Sequence, residues 1–294
     1  MTTTKHQTLE DRNFATYNYK GLDYKFYQSK NKNSLYFSDA SRYFDEFRED
    51  AAFYSKVLKE GDVVVDIGAR DGDSVLPLRA CVGESGKVLA FDPNPYEYPN
   101  LVANVQLNNF KNVETYDFGI AKQDGEQEFL YSDDFYNGGI KTDEIQIGYF
   151  PDPISLKCKN WNTLPDSVRT DFRNASLIKI DTEASDLDIL EELSECIMSS
   201  RPCIVTEWWA TPSYTEAMGN FLRTKNYICF SKKNGNKLHL EYDSRSCARE
   251  HDVFFIPTER LLDSQFDCKW AMCSRTGKPF FVVPDDFKCW SIFE

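Results

Sequence analysis

One segment constrains this chain more than any other. Val63-Val-Val-Asp-Ile-Gly-Ala-Arg-Asp-Gly72-Asp-Ser74 joins a short, β-branched apolar run to a helix-like stretch through a loop with glycines at 68 and 72. A near-continuous apolar strand followed by a helix is the signature of a parallel sheet buried on both faces. In such open sheets, nucleotide-like ligands bind outside the carboxyl end of the first strand. The dinucleotide fingerprint Gly-x-Gly-x-x-Gly lets backbone amides approach a pyrophosphate. The spacing here, Asp66-x-Gly68-x-x-x-Gly72, does not match it.

The rest of the chain repeats the pattern. Lys87–Phe91, Asn112–Phe118, Leu177–Ile180 and Cys203–Thr206 read as strands. Ser74–Val82, Tyr96–Asn108 and Glu183–Ser199 read as the helices between them. The alternation predicts an α/β fold with a mostly parallel central sheet and helices on both faces. Tyr227–Phe230 and Val253–Ile256 read as a late antiparallel pair at one edge. Glu126–Tyr131 and Ile154–Trp161 read as additional strands around a Gly138-Gly139 turn.

Before the first strand, Tyr17, Tyr19, Tyr24 and Phe26 alternate around Lys20-Gly21 and predict a hairpin. Between Asp39 and Glu60, Tyr43, Phe44, Phe47, Ala51, Tyr54, Val57 and Leu58 fall on one helical face. The expected organisation is therefore residues 1–60 as a hairpin and helix packed on the core, the main α/β domain over 61–257, and an aromatic extension over 258–294. That extension holds Trp270, Phe280, Phe281, Phe287, Trp290 and Phe293. It is expected to pack on the domain or on a partner, which admits a homo-oligomer through the aromatic terminal segments.

Composition narrows the partners. With 34 Lys+Arg against 47 Asp+Glu, the net charge is −13, which disfavours nucleic acid as the main partner. No apolar run is long enough to span a bilayer, and residues 1–10 carry no apolar targeting stretch, so a cytoplasmic location is expected. The nine cysteines are scattered without a Cys-x-x-Cys pair, and only three histidines accompany them. Reduced thiols are the expectation, with no zinc site or disulfide framework.

Asp66 and Asp71 beside the glycine loop disfavour a pyrophosphate and suit a cationic ligand. S-adenosylmethionine carries a sulfonium and an ammonium, and its ribose offers hydroxyls to a carboxylate at the end of the second strand. Asp92, in Phe91-Asp92-Pro93-Asn94-Pro95, stands there. The glycines alone would fit a tight connection equally well; the two strand-end carboxylates favour the ligand site.

Three segments then carry a family resemblance: Val65-Asp-Ile-Gly-Ala-Arg-Asp-Gly-Asp-Ser74, Gly86-Lys-Val-Leu-Ala-Phe-Asp-Pro-Asn-Pro95 with Asn104 and Asn108 downstream, and Leu177-Ile-Lys-Ile-Asp-Thr-Glu183. Over roughly Gly61 to Pro257 the chain resembles the FkbM family of S-adenosylmethionine-dependent methyltransferases. The resemblance implies a Rossmann-like class I methyltransferase fold and methylation of a hydroxyl, often on a sugar or a polyketide-like product. It implies cofactor contacts at Asp66, Gly68, Ala69, Gly72, Ser74, Asp92 and Asn94, and adenine contacts at Asp117 and Phe118. The chain departs from the family at Arg70, at Asp92 and at Ala184, which replaces a common glycine.

Transfer to a hydroxyl needs alignment and a route for the proton. Asp181 and Glu183 after the fourth strand and Glu207 after the fifth would converge at the crevice. Asp181 and Glu207 would there hold Mg²⁺, or one acid would serve as base; helix capping is the bland alternative. Lys179, in an apolar strand, is expected to pair with a nearby acid. His251 is a further candidate base. Trp208 or Trp209 would stack on a sugar or simply pack the core, and the loop of Asp133, Asp134, Tyr136, Asn137 and Gly138 would rim the acceptor site. The leading expectation is an O-methyltransferase with a small-molecule or glycan acceptor. The alternatives are a non-catalytic module of the same fold and, more weakly, an NAD-dependent enzyme.

Overall fold

The computed structural model describes residues 13–27, 41, 43–132, 137–140, 152–183, 185–208, 212–231, 252–263, 269–272 and 279–282. Strands β1 (Phe14–Tyr19) and β2 (Leu22–Tyr27) form the expected hairpin. Its two turn residues, Lys20 and Gly21, both have positive φ, 51° and 83°. This is the backbone of a type I′ turn, whose twist matches that of the flanking strands. Helix α1 (Tyr43–Tyr54) buries Tyr43, Phe44, Phe47, Ala51 and Tyr54. It is shorter than the sequence suggests, because the chain leaves it in hydrogen-bonded turns onto the Ala51, Phe53 and Tyr54 carbonyls. Leu58 still reaches the core.

The main alternation follows: β3 (Val63–Ile67), α2 (Val75–Val82), β4 (Lys87–Phe91), α3 (Tyr98–Leu107) and β5 (Val113–Tyr116). An insertion then contributes β6 (Gly119–Ile120), β7 (Gly125–Ser132), β8 (Asn137–Ile140) and β9 (Asp152–Lys159), a separate sheet ordered β6-β9-β7-β8. Gly138 and Gly139 do not form the expected turn. They lie within β8, opposite Tyr131 and Leu130, on an edge strand where the lack of a side chain is tolerated.

Helix α4 (Asp166–Arg173) adds to the expected elements; Leu164, Val168 and Phe172 recur every four residues and are buried. After it come β10 (Ala175–Ile180), α5 (Asp186–Glu192), α6 (Ser194–Ser200) and β11 (Cys203–Glu207). The expected single helix over 183–199 is thus two, divided at Leu193, which bounds both. The last elements are α7 (Pro212–Lys225), β12 (Tyr227–Ser231), β13 (Asp252–Pro257), α8 (Thr258–Asp263), β14 (Lys269–Met272) and β15 (Pro279–Val282). β14 and β15 pair antiparallel within the aromatic extension.

The central sheet is ordered β12-β13-β11-β10-β3-β4-β5. Its β5, β4, β3, β10 and β11 are mutually parallel, and β13 runs antiparallel between β11 and β12. Successive residues alternate between two cores. Val65, Ile67, Leu89, Phe91, Ile178 and Ile204 enter one, and Val64, Val88, Ala90, Leu177, Cys203 and Val205 enter the other. This is the predicted α/β architecture with its antiparallel edge. No helix among the described residues is long and apolar enough to cross a membrane.

The N-terminal hairpin is tied to the sheet by two asparagines one turn apart at the end of α3. Asn104 Oδ1 accepts from Tyr27 N at 2.9 Å, and Asn108 Oδ1 accepts from Lys25 N at 2.7 Å. Asn108 Nδ2 donates back to Lys25 O, so the two side chains pair with β2 as a neighbouring strand would. Asn104 Nδ2 donates on its other side to Asp71 O in the glycine loop at 2.8 Å, and Tyr43 Oη donates to Asp73 O at 2.7 Å. Asn104→Ala leaves two backbone groups without these partners. It should destabilise the protein by about 1–3 kcal/mol in a denaturant titration.

Candidate functional site

The order of the parallel strands reverses between β3 and β10, which places a crevice at their carboxyl ends. Gly68 sits there with φ +85°, and a Cβ on it would fall 1.9 Å from Asp181 O. Only glycine fits. Gly68 N and Ala69 N both donate to Phe91 O, and Asp181 N donates to Ile67 O, so the ends of β4, β3 and β10 are bolted together. A cavity of about 300 Å³ opens above them.

Asp92 forms one wall. Its Oδ2 accepts from Arg70 N at 2.7 Å and its Oδ1 from Asn94 N at 2.8 Å. Burial pushes its carboxyl up to about 7, against those two hydrogen bonds. A carboxylate has lone pairs left after two such bonds, and the backbone fixes its orientation. Asn94 also lines the cavity, although its Oδ1 is taken by Tyr96 N.

The other loop residues expected at the ligand support the wall from behind. Asp66, fully buried, accepts from Ser74 Oγ at 2.5 Å and lies 3.6 Å from Lys179 Nζ. Ala69 is packed in the core. Gly72, at φ +88°, leaves room for Leu101 on α3, whose Cδ1 would lie 3.0 Å from a Cβ. None of Asp66, Ala69, Gly72 and Ser74 is among the cavity-lining residues, whereas Gly68, Arg70 and Asp73 are. Arg70 reaches Asp73 at 3.2 Å and Asp71 at 3.5 Å. Asp71 is buried, and burial raises its carboxyl to about 7 despite the guanidinium.

Asp117 and Phe118, expected at the adenine, are not among the cavity-lining residues. β5 ends at Tyr116, so Asp117 faces solvent. Phe118 turns into the aromatic core, edge-on to Phe91 at 5.6 Å. The cavity wall at this point is Gly119 and Ile120, joined by Phe129 and Cys158 from the insertion. Burial raises the Cys158 thiol to about 11, leaving it uncharged. Nothing in the sequence placed Phe129 or Cys158 here, since strand pairing over long separations brings them in.

The opposite wall is acidic: Asp181, Glu183 and Glu207 line it with Thr182 and Ser185. Lys179 Nζ holds Asp181 Oδ2 at 2.9 Å, as expected for a lysine in an apolar strand. Glu183 takes a left-handed φ of 52°, and burial with the charges of Asp181 and Asp186 lifts its carboxyl to about 7. Behind it, Asp186 accepts from Thr182 Oγ1, Thr206 Oγ1 and Glu207 N. Glu207 is pushed up strongly by burial and then by Asp181, Glu183, Asp186 and Asp252, and its Oε2 is buried without a hydrogen-bond partner.

The expected Mg²⁺ site at Asp181 and Glu207 gains no support. Among the described residues no three His, Cys, Asp or Glu side chains converge as a metal ligand set, and Asp181 is engaged by the Lys179 ammonium instead. Trp208 is a core residue whose Nε1 faces Thr215. Trp209, His251, Ala184, Asp133, Asp134 and Tyr136 lie outside the described residues.

These features define an α/β protein with a crevice at the strand-order switch, a carboxylate fixed by backbone amides on one wall and acids on the other. The chain belongs to the methyltransferase FkbM domain family, whose sequence profile matches residues 66–229. It is 22% identical over 187 residues to "Methyltransferase 1" of Beauveria bassiana, covering 55% of this chain and 72% of that protein. Among solved structures, it is similar to the methyltransferase FkbM of Methylobacillus flagellatus, with 14% identity and a TM-score of 0.41. That match covers 74% of this chain and 60% of the other.

A stability test follows from the acidic wall. The folded state raises the Glu207 carboxyl above its unfolded value, so its contribution to stability is fully present at low pH and declines as pH rises through the ordinary carboxylate range and beyond. Glu207→Gln should therefore raise the melting temperature of the ligand-free protein at pH 8 and leave it unchanged at pH 4. A melting temperature unchanged at both pH values would mean that the wall bears no uncompensated charge.

Proposed function

We propose that the protein is an S-adenosylmethionine-dependent O-methyltransferase acting on a sugar hydroxyl of a glycan or glycosylated metabolite in the cytoplasm. The family supports methyl transfer, and the observation that carries the cofactor reading is Asp92, fixed by two backbone amides beside a glycine that keeps the crevice open. Asp92 would hold the ribose hydroxyls, and Gly119 and Ile120 would pack on the base. When bound, the cofactor supplies an electrophilic methyl group on a sulfonium.

The chain's own part is to align the acceptor oxygen and take its proton. Glu183 suits the proton transfer. It lines the cavity, and a carboxyl near 7 is a better base than an unperturbed one while remaining largely ionised above neutrality. Asp181, held by Lys179, would orient the acceptor. Among the described residues no donor set supports a step through a metal.

Titration calorimetry with S-adenosylhomocysteine should give saturable binding that Asp92→Ala weakens by roughly tenfold or more. No binding, or an unchanged affinity in the variant, overturns the reading. Turnover of labelled methyl groups onto extracted glycans should fall in acid as Glu183 protonates, with the acid limb of kcat/KM near pH 7. Glu183→Gln should abolish that limb. Asp181→Asn should lose turnover while keeping cofactor affinity; an unchanged rate removes Asp181 from the machinery.

A further inference from the structure

Two cations serve the cavity and its floor, and both are already engaged. Arg70 is the only cationic side chain lining the cavity among the described residues, and it pairs with Asp71 and Asp73. Lys179 lies beneath, paired with Asp181 and Asp66. Among the described residues this leaves Glu207, at the far wall, with no cationic partner, its Oε2 out of contact with any donor. Asp186 satisfies its own charge through Thr182, Thr206 and the Glu207 amide, so it does not relieve Glu207.

A second, independent group sits in the same wall. Ser185 lines the cavity, is only 4% exposed, and its Oγ has no hydrogen-bond partner. A buried hydroxyl and a buried carboxylate oxygen left unpaired together are costly unless something that enters the cavity satisfies them. A sugar hydroxyl would satisfy one. A protonated amine carries three donors and a positive charge, and so can donate to more than one such oxygen while supplying the charge that Glu207 lacks as a partner.

We infer that the acceptor carries a protonated amine beside the methylated hydroxyl, an amino sugar or an amine-bearing glycoside, with Glu207 and Ser185 as its receptors. An anionic acceptor, such as a uronic acid or a sugar phosphate, brings no positive charge to the Glu207 oxygen. This assignment rests on the reading of the cavity as a methyltransferase site, and it makes Glu207 a specificity residue while Glu183 handles the proton. The aminium enters as a compensating charge, replacing the proton that Glu207 otherwise retains.

Ligand-observed NMR on the full chain, with and without S-adenosylhomocysteine, tests it with three matched probes: D-glucosamine, D-glucose and D-glucuronate. Glucosamine should bind roughly tenfold or more tightly than glucose, as expected for a charge-assisted hydrogen bond in a partly dry site, and glucuronate should bind least. Glu207→Gln should erase the glucosamine preference, bringing the ratio of the glucosamine and glucose affinities to within about twofold of one. Ser185→Ala should reduce the preference partway, and provides the test should Glu207→Gln not fold. Equal binding of glucose and glucosamine, a preference for glucuronate, or no binding of any probe overturns the inference. Failure of the methyltransferase reading shows separately, as the absence of S-adenosylhomocysteine binding in calorimetry.

Discussion

The site depends on a buried ion cluster under the crevice. Asp66 on β3 and Lys179 on β10 are cross-strand partners in a parallel pair, both on the sheet face whose core is made of valine, leucine and phenylalanine. Neither charge is tolerable alone there, since an unpaired buried ion costs several kcal/mol. Lys179 solves the problem by spanning Asp66 and Asp181, and the proximity of those acids holds its ammonium firmly protonated, well above the ordinary lysine range despite its burial. Ser74 completes Asp66 from the start of α2. The cluster therefore locks the register of the two central strands, the entry to the first helix of the sheet and the orientation of Asp181 in a single arrangement. Removing one member strands the others.

Around this floor the wall residues divide by what holds them. Backbone amides hold Asp92, so its geometry is set by the fold of the loop. Side chains and mutual repulsion set the acidic wall, so its protonation responds to whatever enters. One wall is set by the backbone; the other is electrostatically responsive.

Much of this was legible in the sequence, for local reasons. The bounds of β3 and β4 match the apolar runs residue for residue, because a strand buried on both faces has few polar positions to blur its ends. Asp66, Gly68 and Asp92 were identifiable because they lie at or just beyond the ends of those strands. Lys179 was readable as a paired charge, being a cation inside an apolar strand. What escaped depended on distant pairing. That Gly119 and Ile120, rather than Asp117 and Phe118, would line the cavity escaped because β5 stops at Tyr116 and Phe118 joins the stacked Phe91 and Tyr116 rings. The insertion's contribution could not be read, since β6 meets β9 only after two intervening strands. That Gly68, not Asp66, would line the cavity also needed the structure: the register of β10 against β3 brings the Asp181 carbonyl to the glycine.

The pairing of β6 with β9 has an evolutionary consequence. Gly119 opposes Cys158 and Ile120 opposes Lys159, so the inserted segment leaves and rejoins the main fold at adjacent points. Such a segment behaves as a cassette. It can be lengthened, shortened or exchanged between related chains without disturbing the register of the central sheet, because its two ends are already closed on each other. Yet two of its residues, Phe129 and Cys158, face the cavity. Variation confined to the cassette would thus remodel what the cavity admits, while the ion cluster and the Asp92 loop were inherited unchanged.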